Sequence, residues 1–141
     1  MSFREKSAWI SFLTILAVFI PFFWNSFRQY RGEVAGPEAV GTAFLLLAVF
    51  VVLEIVLHAV VAFRAPEDAR SPRDEREHLI DLRATRVAFN VLVVGALAAV
   101  ATVHLTPRAW VMQQVVLAAI VAAELVRFGG QILLFRRDAR P

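Results

Sequence analysis

The chain has no cysteine, which excludes disulfides, thiolate metal sites and cysteine nucleophiles. It also lacks a glycine-rich phosphate loop, a GxSxG element and any histidine set by sequence beside a nucleophile, so nucleotide chemistry and serine-type hydrolysis have no support. Charge is sparse: 19% of the 141 residues, against 59% hydrophobic residues and a mean hydropathy of +0.64. Nor is the charge gathered into a basic face. The six arginines of the hydrophilic stretch 64–86 alternate with Glu67, Asp68, Asp74, Glu75, Glu77 and Asp81, which argues against nucleic-acid binding.

Four long apolar runs are present instead, 8–27, 39–63, 87–105 and 110–135, each long enough for a bilayer core of about 30 Å. They predict an all-α integral membrane protein, a four-transmembrane-helix bundle forming one membrane domain over 1–141, with no room for a soluble domain beside it. The first run is longer than a secretory apolar region and has no small-residue cleavage site before Arg28, so it is expected to be retained. Arg4, Lys6, the six arginines of 64–86, and Arg136, Arg137 and Arg140 put eleven basic residues on one side of the spans. Arg28, Arg31 and Arg108 put three on the other. By the positive-inside rule both termini are cytoplasmic (N-in/C-in), and so strong a bias argues against dual-topology insertion. Trp9 at the inner boundary and Trp24, Tyr30 and Trp110 at the outer one agree with these limits.

Within 64–86, Ser71 followed by Pro72 reads as an N-cap and first helical position, with Asp74 and Glu75 in the first turn. Helix three is therefore expected to start near Pro72 and to extend about three or four turns into the cytoplasm before entering the membrane near Val87. Leu79, Ile80 and Leu82 form a modest apolar stripe there, a candidate contact for a cytoplasmic partner or the lipid surface; the plainer alternative is a solvated charged face. Pro21 should kink helix one, with Asn25 a turn later to satisfy a freed backbone group, and Gly32, Gly36 and Pro37 mark a short external loop. Gly95, Ala99 and Val103, then Ala118 with Ala122 and Ala119 with Ala123, repeat at intervals of four and permit close helix contact, within one chain or between two. Helices one and two, rich in Phe, Leu and Val, are expected to face lipid.

Glu54 and Glu124 sit near the middle of the second and fourth runs. An ionised group there costs at least about 2.5 kcal/mol, so such residues face the bundle interior, pair, or line a functional path. Counted from the outer boundaries, the two fall within roughly 2 to 3 Å of one level. His58 follows Glu54 at i+4, Arg127 and Gln131 follow Glu124 at i+3 and i+7, and Asn90 enters at similar depth. Glu54, His58, Asn90, Glu124, Arg127 and Gln131 are thus the candidate binding residues of one polar pocket in the cytoplasmic half, beneath an apolar plug. Polar glue that only fixes helix packing is the competing reading, since Arg127 and His58 supply local partners for both glutamates. A metal site is disfavoured because Arg127 would repel a cation, and haem because His78 and His104 lie at the wrong depths; no cofactor is expected.

The segments EKSAWIS, RDEREHLIDLRATRVAF and ELVRFGGQILLFRR resemble a group of small four-helix bacterial membrane proteins of unknown function. The likeness spans most of the chain and implies the bacterial inner membrane, with a helix-turn-helix regulator as a candidate partner. Together these readings predict a non-enzymatic sensing, regulatory or interaction module, as a homodimer. The alternative is a minimal oligomeric proton-coupled carrier or channel that uses Glu54 and Glu124.

Overall fold

A computed structural model of the chain describes residues 3–31, 38–64, 74–106 and 108–138. They form four helices: α1 Phe3–Arg31, α2 Glu38–Arg64, α3 Glu75–Leu105 and α4 Ala109–Asp138. Each is long and apolar enough to cross a bilayer. Each also runs past its apolar stretch, because backbone hydrogen bonding propagates cheaply into the flanking polar residues once a helix exists. Pro21 lies inside α1. The loop of Gly32, Gly36 and Pro37, the linker holding Ser71 and Pro72, and Arg140 lie outside the described residues.

The start of helix three is corrected. Asp74 is extended (φ −68°, ψ 146°) and stands at the N-cap position, and the helix begins at Glu75 rather than near Pro72. Glu75 and Glu77 occupy the first turn, where the helix dipole favours acids. From there the helix is unbroken to Leu105, so 75–86 and 87–105 are one rod.

The helices pack as a row, α2 on α1, α1 on α4, and α4 on α3. Helix α1 therefore packs between α2 and α4, and the expectation that it faces lipid holds for one side only, where Leu13, Ile20, Trp24 and Phe27 are exposed. Ile15, Phe19 and Phe22 of α1 are buried together with Val121 of α4, and Leu46 and Phe50 of α2 pack against them. The Phe19 and Phe50 rings stand edge to face, 5.3 Å between centroids, a favoured aromatic geometry. Helix α2 does behave as expected: Leu45, Val52, Ile55 and Val56 are all exposed. So broad an apolar exterior suits hydrocarbon and not water.

Small residues make the α3–α4 seam. A Cβ built on Gly95 would overlap the Ala119 side chain and come within 3.2 Å of its Cα, whereas one on Gly130 would only touch Ala84 at an ordinary 3.5 Å. Ala88, Ala99 and Ala123 are buried along these helices, whereas Ala118, Ala122 and Val103 are exposed. The i+4 stripe through Gly95 and Ala119 is thus used within the chain. Every neighbouring pair is antiparallel, as Glu5 with Arg136, Ser11 with Glu54 and Asp81 with Gln131 require. The start of α1, the end of α2, the start of α3 and the end of α4 consequently share one end of the molecule, here called the terminal end.

Candidate functional site

The six expected site residues do not form one cluster. They divide between two interfaces on either side of α1, and Asn90 joins neither, being exposed.

The first group bridges α1 and α2. Ser11, 1% exposed, donates its hydroxyl hydrogen to Glu54 Oε2 at 2.8 Å. His58 Nδ1 lies 2.9 Å from the Glu54 backbone oxygen and 3.3 Å from Glu54 Oε2. A carbonyl oxygen only accepts, so Nδ1 carries a hydrogen and the free lone pair of the neutral ring is on Nε2, 3.4 Å from Ser11 Oγ. Serine, histidine and glutamate are the residue types of a hydrolytic triad, but Ser11 Oγ is sealed between two helices and has no open approach for a substrate. Glu54 Oε1 is buried without a partner. Replacing Ser11 with alanine leaves Oε2 short of a donor, with an expected loss of about 1–3 kcal/mol in detergent unfolding followed by tryptophan fluorescence.

The second group joins α3 and α4. Gln131 Nε2 donates to Asp81 Oδ1 at 2.8 Å. Arg127 places Nη2 3.5 Å from the same oxygen and Nη1 3.7 Å from Glu124 Oε2. The contacts of Gly95 with Ala119 and Ala84 with Gly130 set a register in which Arg127 falls about opposite Val87. The roughly 9 Å of axial offset between Arg127 and Asp81 is therefore spanned by the two side chains together, the guanidinium turning toward the terminal end. A tight ion pair, Arg4 Nε to Glu77 Oε2 at 2.6 Å, ties α1 to α3 a turn nearer that end. At the same level Arg136 pairs with Glu5 at 3.8 Å and lies over the Trp9 ring.

A cavity of about 440 Å³ lies among these groups, in the gap between α1 and α3. Arg4, Ser7 and Ala8 line it from α1, and Glu77, Ile80 and Asp81 from α3. Arg127, Phe128, Gln131 and Phe135 of α4 form its floor. Its size is that of small-molecule sites in general. Ile80 is buried here, so it is corrected from partner contact to wall residue; Leu79 and Leu82 remain exposed. Among the described residues, no three His, Asp or Glu side chains gather closely enough to hold a metal ion.

The two glutamates stand at different interfaces: Glu54 meets α1 from α2 at Ser11, whereas Glu124 lies on α4, which Gly129 against Phe12 and Arg136 against Glu5 seat on α1. No hydrogen bond or ion pair joins Glu54 or His58 to Glu124, Arg127 or Gln131.

Ser11, Asp81, Glu77 and Arg4 are the members that sequence reading missed. Their signal was spacing: Ser7, Ser11 and Thr14 follow the helical period of α1, and Glu77, Asp81, Ala84 and Ala88 that of α3. Compared with protein-family models, curated proteins and solved structures, the chain matches none of them.

Proposed function

We propose that this chain is a non-enzymatic multi-pass membrane module whose functional site is the polar cavity between α1 and α3, and that it senses a small polar ligand there. The observation that carries this reading is the cavity itself: three helices converge on it with two ion pairs and an amide, in a chain whose other surfaces are mostly apolar. Charged groups in a membrane domain are costly, and here they line an open volume rather than filling it. The arginine asymmetry supports an orientation with both termini in the cytoplasm, so that the cavity lies in the inner half of the membrane. The resemblance to small bacterial membrane proteins supports the inner membrane as its location. Leu79 and Leu82, exposed on the same helix that walls the cavity, support contact with a cytoplasmic partner.

The carrier alternative gains nothing from the geometry, because Glu54 and Glu124 serve different interfaces. Proton-coupled flux in proteoliposomes abolished by Glu54→Gln and by Glu124→Gln would restore it.

The test of the sensing reading is thermal unfolding of the detergent-solubilised protein against a panel of small polar solutes, with Arg127→Gln and Asp81→Asn alongside. At least one solute should raise the midpoint of the native chain and fail to raise that of either variant; a panel without effect contradicts the reading. Orientation is checked on the same protein. With no native cysteine, single cysteines at Lys6, Arg137 and Arg108 report alone. A membrane-impermeant thiol reagent added to intact cells should label the cysteine at 108 and spare those at 6 and 137.

A further inference from the structure

The charges around the cavity specify a ligand class. Arg4 and Arg127 face Glu77 and Asp81, so the four charged walls sum to zero. The two pairs are not equally closed. Arg4 and Glu77 meet at 2.6 Å, the length of a full charge-assisted hydrogen bond, whereas Arg127 stands 3.5 Å from Asp81 and 3.7 Å from Glu124 and its buried Nε has no partner. Arg127 therefore has donor capacity that the protein leaves uncommitted. An anion entering between Arg127 and Asp81 would satisfy the arginine and weaken the field holding Asp81; a cation would do the reverse. A ligand carrying both charges keeps both residues paired.

Position narrows the class further. The cavity lies between α1 and α3, which are tied by the Arg4–Glu77 pair and pack less closely than the other neighbours, and its polar wall lies beside the Arg4 and Arg136 ends of the spans, at the level of lipid headgroups. Its remaining walls, Ile80, Phe128 and Phe135, are apolar. We infer that the cavity takes the headgroup of an aminophospholipid, its phosphate on Arg127 with Ser7 beside it and its primary ammonium on Asp81, while the acyl chains leave between α1 and α3. The ammonium hydrogens matter, because a quaternary amine cannot donate to a carboxylate oxygen. This inference rests on the cavity being the functional site, as proposed above.

The experiment is lipid retention by the full chain. Protein in mixed micelles is offered equal amounts of dioleoyl phosphatidylethanolamine, phosphatidylcholine and phosphatidylglycerol, and bound lipid is read by native mass spectrometry. Phosphatidylethanolamine should be retained at least about tenfold over each of the others, and Arg127→Gln and Asp81→Asn should each abolish that preference. Because either variant can unfold, Ser7→Leu is run with them. Ser7 lines the cavity without taking part in its ion pairs, so the leucine fills the space and should remove the preference while tryptophan fluorescence stays native. Free phosphoethanolamine is the competing arm: displacement of lipid only at high excess keeps the membrane lipid as the source, and stabilisation by the soluble compound without any lipid preference overturns it. Equal retention of the three lipids, or a preference that survives Ser7→Leu, overturns the inference. If a polar solute still stabilises through Arg127 and Asp81, the sensing reading stands without it; if nothing does, both fail.

Discussion

Gly95→Leu is expected to unfold the α3–α4 seam, with a loss of at least about 3 kcal/mol and a much reduced yield of folded protein. Core overpacking is often relieved by rotation of a flexible neighbour. Here the neighbour is Ala119, whose Cβ has no rotamer to change and whose Cα lies 3.2 Å from the added atom, so the two helix backbones must separate. Separation costs more than local contact, because the same seam carries Ala84 against Gly130 and brings Asp81 to Gln131. Even Gly95→Ala should be destabilising in this protein. Gly41→Leu is the matched control, since nothing lies within 4 Å of its added side-chain position, and it should unfold within about 0.5 kcal/mol of the native chain. The measurement is SDS-induced unfolding in mixed micelles, read by tryptophan fluorescence.

Arg127→Leu is the second large effect. It takes the guanidinium from Asp81, which keeps the Gln131 amide, and from Glu124, leaving both carboxylates without their arginine. Breaking a buried pair by removing one member costs about 3–5 kcal/mol, and because Arg127 is 36% exposed the expected loss is smaller, about 2–3 kcal/mol. Adding Asp81→Asn and Glu124→Gln to Arg127→Leu should return a large part of it. Recovery by neutralising the partners identifies the cause as uncompensated charge, since lost packing alone would not be recovered. The same thermal or SDS unfolding measurement checks both steps.

The four helices were legible in the chain because unbroken apolar runs longer than a bilayer core allow few other structures. Their neighbours were not. Composition placed the Phe-rich α1 toward lipid, yet Ile15, Phe19 and Phe22 are core, because an aromatic side chain suits hydrocarbon and a helix interface equally well. Only the polar positions Ser7, Ser11 and Thr14, which hydrocarbon disfavours, distinguished the inner face of that helix.

The site was legible residue by residue and not in its assembly. The pairs within one helix, Glu54 with His58 and Glu124 with Arg127, follow from i+4 and i+3 spacing and are present. Depth counted from hydropathy boundaries could not assign the two glutamates to different interfaces, because which helices become neighbours is set by close contacts such as Gly95 on Ala119 and not by where an apolar run begins. Asp81 was hidden for a different reason. In DEREHLIDLR it reads as one charge among many on a solvated turn, and only the face that continues through Ala84 and Ala88 turns it toward α4.

The polar residues divide into two groups separated by α1. A pair of double-mutant cycles on unfolding free energy measures that division. Asp81→Asn combined with Arg127→Gln should show a coupling of at least about 1 kcal/mol, while Glu54→Gln combined with Arg127→Gln should be additive within about 0.5 kcal/mol. A Glu54–Arg127 coupling as large as that of Asp81 with Arg127 would mean a single joined cluster and would contradict the account.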